Sequence, residues 1–546
     1  MEGNATPHEP QRVRGWHRPP RLGVVCCGLS LIGFAGQCFG QAAAAPPAAS
    51  GPAAPGATSA PNTAASGSGP TARLAGIGFR VVPSFEIGET YNDNVNLAAK
   101  GHETWDLITA LTPGLDATED ASHFQGRLVY DPQALLFARG TSSPVLQQRL
   151  LGTGHATLYR DMLFFDTNAS IQQAYLSSTG AIGPTTLTTN NNLQTVQTVN
   201  ASPSLVEHLG NFATSRTLYR FSYIDTSGNQ VAPEEIHNAS QNFTGGEFFG
   251  RLGWGVTGSW TQINRLLGTN DPFGGTSSTD ELGRLDLQYP IFYSISIIGG
   301  VGYERIVDPT LLTQPNGPIW NVGLQYQPND RLSASLTYGR RFEETDIEFH
   351  ASYALTQQLH VLAAYTQQVQ TSQSLLASNL NQVTLGPNST FVNAQTGLPV
   401  SVNGTTLGTA NSDFGITSGS FLDKRYELDV EATRGRNTYT FAGYNEKHTG
   451  NTFATANERI TGTTLSWMRQ LWPNLSSTVS GAYSRSLFQD GSGRVDNLYS
   501  VSLGLAYAIS ATATANLSAT RYDRMSNQAV NSLIDDVVTA SLRKQF

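Results

Sequence analysis

The chain has 546 residues, with 33 Lys and Arg against 41 Asp and Glu and a formal charge of −8. Only 14% of residues are charged and 39% are hydrophobic, with 54 glycines. That is too little charge for charge-driven disorder, too polar for a bundle of membrane helices, and too acidic for a nucleic-acid binder.

Arg12, Arg14, Arg18 and Arg21 precede an apolar run from Leu22 to Ala35, and small residues follow from Gly40. A positive region, a short apolar core and a small-residue exit predict a secretory signal peptide over residues 1–41. The core is too short for a spanning helix, which needs about 20 apolar residues. Cys26, Cys27 and Cys38 all leave with it. The mature chain then has no thiol, which excludes a disulfide framework and cysteine metal sites. Residues 42–75 are rich in Ala, Pro, Ser and Gly, with Arg73 the only charge. They read as a flexible periplasmic linker. So short and apolar-poor a stretch predicts a barrel with no plug domain, and argues against a plugged receptor.

From residue 76 to 546 the pattern has period 2, the signature of half-buried strands. Trp254-Val256-Gly258-Trp260 alternates with Gly255-Thr257-Ser259-Thr261. Ile347-Phe349-Ala351-Tyr353 alternates with Asp346-Glu348-His350-Ser352. Tyr426-Leu428-Val430-Ala432 alternates with Arg425-Glu427-Asp429-Glu431. About 22 such segments (20–24) follow one another, enough for strands of about 9–11 residues tilted across a bilayer. They begin near Phe79, Thr104, Ser122 and Gln147 and end with segments near Val495, Ala511 and Ile534. Short turns, as at Tyr159–Asp161, Pro328–Asp330 and Arg434–Asn437, alternate with long polar loops, as at 177–192, 264–278 and 371–420. The loop at 342–344 is shorter than this scheme expects.

Turns short on one side and loops long on the other is the asymmetry of outer-membrane barrels. Lipid offers no hydrogen-bond partner, so strands can cross it only as a closed barrel. Aromatic residues such as Tyr219, Trp254, Tyr289, Tyr338 and Tyr499 end the apolar stripes, as an interfacial girdle requires. The predicted fold is therefore an all-β, closed, transmembrane antiparallel β-barrel. Its site is the outer membrane of a Gram-negative bacterium, with both termini periplasmic. Its partners are outer-membrane lipids and the barrel-assembly machinery. The last strand ends in Leu542 and Phe546, which resemble the C-terminal assembly signal of such proteins.

The segment Pro83-Ser84-Phe85-Glu86-Ile87-Gly88-Glu89-Thr90-Tyr91-Asn92-Asp93-Asn94-Val95-Asn96-Leu97, followed by Thr112-Pro113-Gly114, carries a family resemblance. It resembles the opening of outer-membrane proteins associated with the exosortase (PEP-CTERM) system and of related outer-membrane β-barrel porin families. The resemblance is clearest over 79–140. It implies an envelope role, with exopolysaccharide or its export machinery as partner.

No catalytic motif stands out: there is no Gly-x-Ser-x-Gly, no Walker loop and no His-Glu-x-x-His. No cofactor is expected. His350 beside Glu348 could form an acid/base pair, though a polar lumen stripe is the simpler reading. Asn92-Asp93-Asn94 could ligate calcium, but a turn explains it better. Assigning the aromatic face to lipid puts Arg127, Asp131, Arg216, Arg220, Arg284, Asp286, Arg341, Glu348, His350, Arg425, Glu427, Asp429 and Glu431 in the lumen. They either pair across strands or shape a solute path. The expected function is a channel for passive diffusion or export of polar solutes, narrowed by loop 371–420. The alternatives are a structural or adhesive barrel without transport, and an outer-membrane hydrolase.

Overall fold

The computed structural model describes residues 72–73 and 78–546, except 229, 268–269, 357, 387–388, 395–399, 401–414 and 453–456. The signal peptide and nearly all of the linker lie outside the described residues.

The wall is one antiparallel sheet. Its strands are β1 (Arg80–Asn92), β2 (Asp106–Asp120), β3 (Phe124–Tyr130 and Gln133–Phe137), β4 (Val145–Gln147 and Leu150–Tyr159), β5 (Leu163–Tyr175), β6 (Leu193–Leu209), β7 (Ala213–Thr226) and β8 (Glu234–Gly245). They continue as β9 (Gly253–Arg265), β10 (Ser277–Phe292), β11 (Ile295–Val307), β12 (Asn316–Asn329), β13 (Leu332–Arg341), β14 (Glu344–Thr356) and β15 (Leu359–Gln370). The last seven are β16 (Phe421–Arg434), β17 (Asn437–Thr449), β18 (Glu458–Trp472), β19 (Leu475–Phe488), β20 (Val495–Ser510), β21 (Ala513–Ser526) and β22 (Leu533–Gln545). The described residues thus form 22 wall strands. β3 and β4 are interrupted in mid-course, where Pro132 has no N–H to give the ladder.

Closure is direct. β1 pairs antiparallel with β22 from Ser84↔Gln545 to Asn92↔Val537. The amide of Phe546 donates to the carbonyl of Pro83 at 2.9 Å and extends the seam. With that pairing the sheet has no open edge, so every wall strand has a neighbour on both sides.

The turns at one end are tight. Gly435, between β16 and β17, has φ +62°, the left-handed conformation that glycine adopts without a Cβ clash. The opposite end carries the long connections. Its one tight link is the short loop noted above, where Phe342 (φ +54°) and Glu343 (φ +61°) make a two-residue hairpin between β13 and β14. Left-handed φ at both central residues is the turn that matches strand twist. The short loop is therefore a real hairpin, and the strand count stands.

Alternation sets the two faces. Val501, Leu503 and Leu505 of β20 are exposed outward, as are Leu336 and Tyr338 of β13 and Tyr426 and Leu428 of β16. The facing positions turn inward. On β6 the inward residues Val196, Thr198, Asn200, Ser202 and Ser204 are all buried. Burial on the inside of a barrel means that something fills the space there. The filling is part of the connection between β15 and β16. It contains α1 (Ser372–Asn381) and a small hairpin, Val383–Leu385 paired with Phe391–Asn393.

The expectation of an unplugged barrel is therefore corrected. The inner wall carries a folded insert from the connection between β15 and β16. The physical reason is that a barrel of 22 strands encloses more volume than wall side chains can fill.

The lipid-facing assignment makes a prediction. Val501→Arg, on the outward face of β20, should destabilise the barrel by about 2–4 kcal/mol if it lies near the midplane. Urea unfolding in lipid vesicles measures it. Ser502→Arg, one residue on and facing inward, should cost much less; equal costs would invert the assignment.

Candidate functional site: the occupied lumen

The insert begins with a helix start written in the sequence. Thr371 Oγ1 accepts from the amide of Ser374 at 2.9 Å, and Ser374 Oγ accepts from the amide of Thr371 at 3.0 Å. This reciprocal cap satisfies two amides that a helix start leaves orphaned. Leu376 and Leu380 then fall on one side of α1, four residues apart. Leu376 and Ala377 pack with Val196, Ile224, Val231 and Ile236 of the wall region. Leu380, Val383 and Phe391 pack with Val129 and Leu151 of β3 and β4. Asn200 Nδ2 donates to the carbonyl of Ala377 at 2.9 Å. The helix and hairpin thus lie against the inner wall of β3 to β7.

Arg127 of β3 fastens the hairpin. Its guanidinium holds Asp116 through two bonds, at 3.0 and 2.7 Å, and donates to the carbonyl of Ser389 at 2.9 Å. It also lies 4.9 Å from the ring centre of Phe391. A planar, always-charged fork can do all three at once, whereas a lysine ammonium could not.

A buried polar hub fastens both ends of the insert. Arg265, the last residue of β9, has a side chain with no exposure. Its Nη2 donates to Asp308 Oδ2 at 3.2 Å and to Ser420 Oγ at 3.1 Å, and its Nε donates to the carbonyl of Ser418. Glu234 Oε1 stands 3.7 Å from Arg265 Nε, while Glu234 Oε2 accepts from Thr371 Oγ1 at 2.9 Å. Thr371 opens the insert and Ser418 and Ser420 close it. One cation therefore ties the two roots together. Asp308 lies in the loop after β11. Burial pushes its carboxyl up, but Arg265 and the bonds from Ser420 and Thr310 outweigh that and hold it below the usual range.

A second clamp acts on the 177–192 loop. Arg494 and Arg524 share Asp496, and they donate to the carbonyls of Thr179, Gly180 and Ser178. Asn92-Asp93-Asn94 proves to be a turn: the amide of Asn94 donates to Asn92 Oδ1 at 2.7 Å, and that of Ala98 to Asn94 Oδ1 at 2.8 Å.

The charged residues singled out from the sequence fall into separate groups. Asp131 accepts from Arg543 of β22 at 3.2 and 3.3 Å. Arg216 and Arg220 of β7 lie in the field of Asp166, and Arg220 also donates to Ser202 Oγ at 3.3 Å. Arg284 pairs with Asp286 at 2.7 Å, and Arg341 holds Glu304 through two bonds. Arg425 bridges Glu427 at 2.9 Å and Glu446 at 3.1 Å, with Asp429 on the same inward face. Glu431 continues that row, and no hydrogen bond joins His350 to Glu348 among the described residues. Leu542 and Phe546 are exposed on the outer side, near the seam.

Sequence reasoning missed Arg265, Glu234 and Asp308. They sit at strand ends beside loops, where alternation gives no signal. Arg265 as the closing residue of an otherwise uncharged strand, facing a 50-residue connection, was the available hint.

The hub predicts loop behaviour. Arg265→Met leaves Glu234 and Asp308 buried without their cation, which costs about 3–5 kcal/mol. Limited proteolysis should then cut within 371–420 far faster than in the wild type. Asp308 adds a pH sign. Its lowered value means that its contribution is complete above the usual carboxylate range and is lost as pH falls through its folded value. Protection of the segment in the wild type should therefore weaken in acid.

Comparison with known proteins adds the following. The family model described as "Putative beta-barrel porin 2" matches residues 461–546, the last strands of the wall. No curated protein matches the chain. Solved structures of similar outline include the FrpB iron transporter from Neisseria meningitidis (F5-1 variant). It has 13% identity and a TM-score of 0.45, covering 85% of this chain and 82% of that one. The siderophore receptor PirA from Acinetobacter baumannii has 8% identity and a TM-score of 0.44, covering 85% and 80%. FpvA of P. aeruginosa, in a complex with heterologous pyoverdine and iron, has 11% identity and a TM-score of 0.45, covering 86% and 72%. The chain is similar in its closing strands to β-barrel porins, and its large barrel is of the outer-membrane type.

Proposed function

We propose that this chain is an outer-membrane channel for polar solutes whose lumen is narrowed by the 371–420 connection. One observation carries the reading: a capped helix and a hairpin are seated on the inner wall and tied at both roots by Arg265. A wide barrel with a fixed internal insert is built as a constriction rather than as an open tube. Inward charges away from the insert, such as Arg284, Asp286, Glu427, Asp429 and Glu431, would line the remaining path. There they would tune which solutes pass.

A polysaccharide or its fragments is the solute class we favour. The support is the resemblance over 79–140. Both termini would then be periplasmic, on the side of the tight turns.

Planar-bilayer recordings test the channel. Replacing 372–419 by a short linker should raise single-channel conductance severalfold over the wild type. Unchanged conductance would remove the insert from the path. A wild type with no conductance, and no swelling of sugar-loaded liposomes, would favour a structural barrel with a filled lumen; the buried inward face of β6 is the observation on that side.

We also propose that Leu542 and Phe546 are read by the barrel-assembly machinery. Both are apolar, outward-facing and at the seam strand. Phe546→Ser should lower the amount of folded barrel in the outer membrane, read by heat-modifiable gel mobility, without changing the conductance of the molecules that do assemble.

A further inference from the structure

We propose that Asp423, Glu446 and His448 form a binding site for one divalent transition-metal ion of the zinc class, on the inner wall between β16 and β17. The inference is independent of the channel reading. Among the described residues, one ligand atom from each of the three lies within 4.8 Å of the others. Asp423 and His448 are direct cross-strand partners, and Glu446 precedes His448 by two on the same face. Antiparallel register alone therefore assembles the group.

The orientation of each side chain is that of a ligand held from behind. Asp423 Oδ2 accepts from Gln370 Nε2 at 3.0 Å, while Asp423 Oδ1 is buried with no hydrogen-bond partner. That free oxygen points into the group, 3.8 Å from His448 Nε2. Glu446 Oε2 is held by Arg425 at 3.1 Å, while Glu446 Oε1 faces His448 Nε2 at 2.9 Å. Phe421, fully buried, stacks on the imidazole with ring centres 3.9 Å apart and fixes its plane. Each ligand thus spends one side on a positioning partner and turns the other to a common centre, as outer-shell groups arrange metal ligands.

Charge points the same way. Three carboxyl groups, of Asp423, Glu446 and Glu427, stand around the single guanidinium of Arg425. The side chains of Asp423, Glu446 and His448 are all 5% exposed or less. A divalent cation would pair with these carboxyl oxygens where solvent cannot. A nitrogen donor with two carboxylate oxygens suits zinc-class ions better than calcium or magnesium, which take oxygen ligands alone. Three protein donors leave one position of a four-coordinate ion to another ligand.

The test uses the full, tag-free barrel in detergent, titrated with Zn(II) by calorimetry and with Co(II) by visible absorption. The expected result is one equivalent bound per chain, with a Co(II) spectrum distinct from that of the aqueous ion. Asp423→Asn and His448→Ala should each weaken binding more than about a hundredfold. Gln370→Leu, which removes the positioning bond to Asp423 and a bond from Gln368 but no proposed ligand, should weaken it by about 10–100-fold. Heat-modifiable mobility checks folding, and Asp423→Asn, nearly isosteric, decides the matter if His448→Ala does not fold. Absence of stoichiometric binding by the wild type, or binding unchanged in Asp423→Asn, would overturn the site.

Discussion

Every feature of this barrel depends on the backbone amide. In lipid an unpaired N–H or C=O has no water to turn to, so the sheet must close on itself. The pairing of β1 with β22, extended by the Phe546 amide, meets that demand at the one place where the chain's two ends can do so. Closure then sets all the rest. With edges gone, one face of each strand meets hydrocarbon and the other is enclosed.

Enclosure creates the second problem. The circumference set by 22 strands leaves an interior that inward side chains cannot fill. The protein answers with chain from the connections. α1 and its hairpin carry an apolar side to inward-facing Val129, Leu151, Val196 and Ile224, which would otherwise be exposed to water. The polar remainder is secured by Arg265, Arg127, Arg494 and Arg524. Arginine suits this task because one fork can pair with a carboxylate and still donate to backbone carbonyls of a loop. Charges on the inner wall therefore do two different things. Some hold loops, as at Arg127 and Arg265. Others, such as Arg284 with Asp286, pair within the wall and remain beside whatever space is left.

The β16–β17 region differs from both. Its carboxylates are held in pairs of unlike oxygens, one bonded and one turned to a shared centre at His448. Arg425 holds Glu427 and Glu446 from one side. The same antiparallel register that closes the barrel brings these ligands together, so the site needs no loop to form it.

The sequence by itself determined the strands, their two faces and their turns, because alternation, tight-turn residues and aromatic stripe ends are local properties. Most of the wall was legible in this way; the short link at Phe342 and Glu343 did not fit the alternation of turns and loops, and only its φ angles showed it to be a hairpin. Parity alone also gave Arg127, Arg341 and Arg425 an expected inward direction. What only the tertiary structure decided was which distant groups meet. Arg265 reaches Ser418 and Ser420 across more than 150 residues, and Asn200 reaches Ala377 across 177. Nor could period 2 show that the lumen is occupied: a residue facing water and one facing a helix inside the barrel carry the same phase. The insert is placed by non-local burial and buried ion pairing, which depend on the curvature of the closed wall and leave no periodic trace in the chain.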